Sequence, residues 1–400
     1  MTMPSRRLTR LMLAVGAAVT AVTIIATGAA PGTAAAAGRA GDWTHDGFDA
    51  GNSGYNPSET VVNAGSVGRL GQRWSVRPAA GAEGCAPALP PPLVADGRVY
   101  VLDGEGVTAL DAATGKRLWR DPKLFDSLDF RQLVVAGGLL IATGTSCYAN
   151  SDPDGHVVAL DAATGARRWK LTQEPPVNAL VVDAGTVLTS GWATATNEDT
   201  VIAYDIRDGH RRWDRTGAAL AGPVSSAGRV LLHDAKGTTA VTVAAGAALW
   251  RSKVRWKPLA ATADRFLAVP DPVAQGDLGG LVAIRAGSGG VAWQRTEAVD
   301  SVATDGRRVY AASGGSVTAF HAGRGSRLWS RSLPGAAQGP VRAGGLLYVT
   351  VEGRPVAILS PVTGGDVPGA ARLEGAVQHV VVSGGRIWTT DGTTLRAYSP

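Results

Sequence analysis

Asn150, Asp152, Asp154 and Gly155 are spaced like the first half of an oxygen-rich calcium loop, and Asp161 falls at the twelfth position, where a bidentate carboxylate would complete the sphere. Hard carboxylate and amide oxygens are what calcium requires, so Asn150, Asp152 and Asp154 are the metal-ligating candidates of the chain. A structural reading competes with this one. Pro153 ahead of Asp154-Gly155 is an ordinary turn sequence, and Asp161 also belongs to a turn that recurs along the chain. Other catalytic signatures are missing: the sequence has no Gly-x-Ser-x-Gly elbow and no phosphate-binding glycine loop with lysine, and its six histidines are dispersed without ligand spacing. No catalytic residue is assigned.

The recurring turn defines the elements. Ala109, Asp111, Thr114, Gly115 and Trp119 return as Ala159, Asp161, Thr164, Gly165 and Trp169. Ala203, Asp205, Gly209 and Trp213 keep most of the pattern, and Ala240/Gly246/Trp250, Ala283/Gly289/Trp293 and Ala319/Gly325/Trp329 keep its Ala, Gly and Trp. Successive tryptophans lie 50, 44, 37, 43 and 36 residues apart, a propeller period rather than a leucine-rich or ankyrin one. Each unit reads as four short strands. In the first, Pro92–Ala95, Arg98–Leu102, Val107–Leu110 and Lys116–Arg120 are separated by Asp-Gly and Thr-Gly turns. The tryptophans on the fourth strands have the apolar area and the single N–H donor that suit docking between sheets.

Counting the degenerate copies at residues 339–368 and 378–400 gives eight units, the last of which stops where its fourth strand is due. Leu70–Val76, containing Trp74, has the character of that missing strand. The expected fold is therefore all-β: an eight-bladed propeller of four-stranded antiparallel blades, closed by pairing the N-terminal strand with the last blade. Trp74, Trp119, Trp169, Trp213, Trp250, Trp293 and Trp329 are its docking residues. Residues 38–69 form an N-terminal extension that packs on the propeller, which spans 70–400.

Residues 1–37 read as a signal peptide. Arg6, Arg7 and Arg10 precede an apolar, Ala-rich run, small residues follow, and no acidic residue occurs before Asp42. Cleavage would leave a secreted or otherwise extracytoplasmic chain without a stable membrane anchor; Sec and twin-arginine routes both remain open. Loss of those three arginines lowers the formal charge from +6 to +3, and no Lys/Arg block of nucleic-acid-binding density remains. The propeller topology puts Cys85, in the linker before the first complete unit, and Cys147, in the long second-to-third-strand loop of the next, on one face. Oxidising export favours a disulfide between them, worth about 4 kcal/mol in the chain-entropy model, with two free buried thiols as the alternative. Enlarged loops around residues 143–156, 190–200 and 270–280 share that face with the 121–131 linker. Phe125, Phe130, Tyr148 and Trp192 supply it with aromatic anchors of the kind found in binding hot spots, or else cap the core.

The Ala-x-Asp-x-x-Thr-Gly-x-x-x-Trp units resemble the tryptophan-docking repeats of pyrroloquinoline quinone (PQQ) dehydrogenases and of their cofactor-free, BamB-like relatives. Asp42, Trp43, Gly47, Asn52, Ser53, Tyr55, Asn56 and Pro57, with Val67, Leu70 and Trp74, are similar to the segment leading into the first blade of those enzymes. The resemblance covers residues 42–400 and implies architecture. The dehydrogenases carry adjacent cysteines over the quinone and a Glu/Asn/Asp calcium site; this chain has no Cys-Cys pair and no Cys-x-x-Cys-His haem site. Two functions follow. The first is a monomeric, non-enzymatic exported propeller that binds a protein or cell-envelope polymer through its loop face, with no cofactor. The second is a PQQ- and calcium-dependent oxidoreductase of the alcohol or sugar dehydrogenase type.

Overall fold

A computed structural model describes Met1 and residues 41–79, 89–104, 106–122, 128–146, 153–271 and 280–400, without the side chains of 128–131 and 146. Eight four-stranded sheets follow one another along the chain. The first is built from Leu93–Ala95, Arg98–Asp103, Gly106–Asp111 and Arg117–Asp121. Its middle strands are buried along nearly their whole length while its outer strand is largely exposed. Runs such as Val-Tyr-Val-Leu are apolar without alternation because neighbouring blades cover both faces of the sheet. First strands of successive blades lie against one another, so they line the centre of the ring.

Six of the eight hairpins joining first to second strands share one turn. Asp96-Gly97, Ala184-Gly185 and Ala227-Gly228 each place two successive residues at positive φ, between 48° and 76°. This backbone matches the right-handed strand twist, and a glycine at the second position removes half its steric cost. At the other turn of the repeat, Asp111 Oδ1 accepts hydrogen bonds from the Ala113 and Thr114 amides and from Thr114 Oγ. Asp161 does the same for Ala163 and Thr164 and also takes Arg168 at 2.6 Å, so its carboxylate is engaged in the repeat turn.

The tryptophans join the blades. Trp119 lies on Gly165 of the next blade and donates its indole N–H to Ala162 O at 3.2 Å. Trp74, Trp169, Trp213, Trp250, Trp293 and Trp329 repeat the arrangement toward Ala112, Ile206, Val243, Ala286, Ala322 and Pro361, at 2.8 to 3.3 Å except for Trp293, at 2.7 Å. A Cβ on Gly165 would stand 2.6 Å from the Trp119 ring, and the residue has φ +74°, so space and backbone both demand glycine.

Gly71–Val76 pairs antiparallel with Leu395–Ser399 and completes the eighth blade, as the sequence leads one to expect. The seventh blade departs from the regular plan. Beyond Ala357–Leu359 only a bridge from Leu359 to Asp366 stands where an outer strand would be, and Tyr55–Asn56 adds a short parallel strand to the inner edge at Ala337–Ala343. No helix among the described residues is long and apolar enough to cross a membrane.

Trp119→Ala should destabilise the protein by about 3 kcal/mol, and Gly165→Ala by more than about 1 kcal/mol from backbone strain alone. In the double variant the alanine methyl no longer meets the indole. Denaturant unfolding of all four proteins should therefore give a cost well below the sum, and additive costs would disprove the docking contact.

Candidate functional site

Residues 41–56 run around the central channel and meet every blade in order. Trp43 exchanges backbone hydrogen bonds with Val94 of blade one, and Thr44 O accepts from Val135 of blade two. His45 Nε2 lies 3.0 Å from Val182 O of blade three; a carbonyl can only accept, so that nitrogen carries the proton. Ala50 O and Gly51 O accept from Ser225 and Ala261 of blades four and five, Ser53 O and Gly54 O from Thr304 and Arg342 of blades six and seven. Asn56 Nδ2 closes the circuit on Val382 O of blade eight.

Inside this segment, Asp49 accepts from Ser53 N and Ser53 Oγ, while the Trp43 indole donates to Asp46 O. Asp46 itself projects into the channel, where no side-chain or backbone donor among the described residues meets its carboxylate. Enclosure by the propeller, with no counter-charge, pushes that carboxyl up to about 6. Channel solvent still reaches the residue, which tempers the effect. A cavity of about 230 Å³ above the segment is lined by Asp46, Asp300, Thr350, Gln378 and His379. Burial lowers the His379 pKa, so the ring is neutral at neutral pH. Thr350, Gln378 and His379 also line a second cavity of about 450 Å³, with Gln338, Glu352 and Asp391, between blades seven and eight.

Sequence reasoning missed this channel site. Its only legible sign was the Asp42–Pro57 stretch itself, rich in Gly, Asn and Asp. Of the residues singled out from the sequence, Trp192 is 45% exposed on the long hairpin of blade three, beside the turn in which Asn197 N bonds Ala193 O. The seven docking tryptophans sit at blade junctions, away from the channel. Asp154 is exposed, and among the described residues no group of three or more His, Cys, Asp or Glu could hold a metal. Cys85, Phe125, Cys147, Tyr148, Asn150 and Asp152 lie outside the described residues, as does the Phe130 side chain.

Residues 68–172 and 153–367 match the family model described as outer membrane protein assembly factor BamB. The chain belongs to that family. No curated protein matches it in sequence. Among solved structures it is similar to quinohemoprotein alcohol dehydrogenase ADHIIG from Pseudomonas putida HK5, with 13% identity, 90% of this chain and 80% of that one covered and a TM-score of 0.65. The quinohemoprotein alcohol dehydrogenase of Comamonas testosteroni gives 15%, 90%, 81% and 0.63. BamB from Moraxella catarrhalis gives 17%, 83%, 100% and 0.55. Identities this low speak for the shared fold only.

Unfolded Asp46 titrates near the ordinary carboxylate value and folded Asp46 near 6, so ionisation between those values costs stability, and the full cost is present above pH 6. Asp46→Asn should accordingly stabilise the fold at pH 8 by up to about 1 kcal/mol after allowance for channel solvent, read by denaturant unfolding, and the gain should vanish near pH 4. A gain equal at both pH values would show that the carboxylate charge is not its cause.

Proposed function

We propose that this protein is an exported, non-enzymatic propeller that binds a protein or cell-envelope polymer on the face of its long second-to-third-strand loops. The observation that carries the reading is Trp192. Its ring is nearly half exposed on a projecting hairpin, whereas the docking tryptophans are turned into blade junctions. An exposed tryptophan on a rigid β-scaffold is an efficient anchor, because little side-chain entropy is lost when a partner covers it. Family membership supports an envelope setting, the Arg-led apolar stretch at residues 1–37 supports export with cleavage, and an oxidised Cys85–Cys147 pair on the same face belongs to the same proposal. The propeller starts near residue 70, with 38–69 as its packed extension.

The lining of the channel weighs against the quinone reading. PQQ is a tricarboxylate, and in the channel cavity it would meet Asp46 and Asp300 with no lysine or arginine among the described lining residues. The described lining residues do not fit that group.

A photo-crosslinking residue at position 192 should give discrete adducts when the protein is expressed in its own envelope, whereas one at Leu118, exposed on an outer strand, should not. Identical adduct patterns from both positions would defeat the loop-face assignment. Stoichiometric PQQ binding in the presence of calcium, with dye-linked alcohol or sugar oxidation, would overturn the non-enzymatic reading.

A further inference from the structure

Elsewhere on the propeller, arginines of the outer strands are answered by carboxylates of the same or the neighbouring blade. Arg167 meets Asp121 at 2.8 Å, Arg168 Asp161 at 2.6 Å, Arg212 Asp205 at 2.8 Å and Arg331 Asp366 at 2.7 Å. Blades five and six differ at their inner hairpins. Their first hairpin turns, residues 262–265 and 304–308, enclose with His321 a groove of about 570 Å³ beside the channel mouth that the N-terminal segment spans.

Three arginines line this groove. Arg265 is pinned across the junction by a 2.8 Å hydrogen bond from Nη1 to Ala322 O, and its Nε makes only a loose ion pair, without hydrogen-bond geometry. Arg307 is exposed, and neither its guanidinium nor that of Arg308 meets an acceptor among the described residues; Arg308 Nε is moreover buried and unsatisfied. The nearest carboxylate in sequence is already occupied. Asp305 accepts from the Arg307 and Arg308 amides and from Tyr310 Oη. Asp264, largely exposed at the groove's edge, lies 3.4 Å from Arg265 Nε and bonds Thr262 Oγ. His321 Nδ1 accepts from Gly323 N, which leaves Nε2–H as its donor.

We propose that this groove is an anion site that takes a phosphoryl group carried on a small polar body such as a polyol. Guanidinium forks match the oxygens of a phosphoryl group in pairs, and a buried, unsatisfied guanidinium nitrogen gains most from an arriving anion. The groove has room beyond the anion for its carrier. This site lies on the opposite face from the loop surface assigned above and is independent of it.

Calorimetric titration of the full mature chain with inorganic phosphate, sn-glycerol 3-phosphate and phosphatidylglycerol vesicles, at matched ionic strength, tests the proposal. Binding should appear with at least one probe, and Arg307→Gln/Arg308→Gln should weaken it about tenfold or more while the unliganded melting temperature stays within a few degrees. Arg324→Gln, an exposed arginine of the same blade outside the groove lining, should leave it unchanged. A response to the soluble probes alone identifies a free or polymer-borne phosphoryl group, and a response to vesicles alone a lipid headgroup. Failure of all three probes, or equal binding by wild type and the double variant, overturns the site. Should the double variant unfold, charge-conserving Arg307→Lys/Arg308→Lys must still lose affinity, since ammonium groups cannot supply the paired fork; undiminished binding there also overturns it.

Discussion

An indole lying flat on a glycine of the next blade is the contact on which the ring depends. The tryptophan is large enough to bridge two sheets, and only a residue without Cβ lets it approach, since a methyl on Gly165, Gly289 or Gly364 would stand within 2.7 Å of the ring. Its N–H then satisfies a carbonyl in the repeat turn that would otherwise be left over when the sheets come together. Each such contact involves only neighbours, so stability accumulates blade by blade, as in other repeat architectures. The repeat turn is thereby fixed from both sides: its aspartate holds the loop from within and the neighbouring tryptophan covers it from outside.

The junction between blades seven and eight lacks this contact for a reason of topology. A docking tryptophan sits on the turn between the third and fourth strands of the next blade. In blade eight those strands are Leu395–Ser399 and Gly71–Val76, which come from opposite ends of the chain and have no turn between them. A tryptophan on blade seven would have nothing to cover. The seam is made differently: Ala371 N bonds Val67 O, and Gly68 approaches Gly369 O so closely that a Cβ would lie 2.6 Å away. The cavity of about 450 Å³ lies at this seam, where Ala376, Val377 and Gln378 run into the first strand of blade eight.

Blade number, closure and the positions of the docking tryptophans were legible in the sequence because one local pattern encodes each of them. Asp and Thr shape a turn, Gly gives space and Trp fills it, all within eleven residues. The channel was not legible, since its contacts join residues such as His45 and Val182 or Asn56 and Val382, which no periodicity relates. Asp46 carries no sequence signal either: an isolated aspartate before a glycine reads as a turn, and only the surrounding ring places its carboxylate in the channel. The calcium-like spacing of Asn150 to Asp161 runs into the repeat turn at its last position. Asp161 meets the spacing rule, yet in the structure its oxygens serve Ala163, Thr164 and Arg168.

The N-terminal segment shows why a channel ring cannot be a strand. A β-strand pairs with one sheet edge, and eight sheets present eight separate edges that point toward one axis. Residues 41–56 have about two residues for each blade, so the backbone must leave the extended conformation repeatedly; Phe48 and Asn52 do so at φ 84° and 51°. Where the backbone cannot reach, side chains substitute for it, with His45, Asn52 and Asn56 each bonding an inner-strand carbonyl. The segment pairs with inner strands only near its two ends, as a single antiparallel bridge from Trp43 to Val94 and as the short parallel strand Tyr55–Asn56 on blade seven. The polar, glycine-punctuated composition of this stretch is thus a structural requirement of spanning eight edges, and it exposes an unpaired carboxylate to the channel as a consequence.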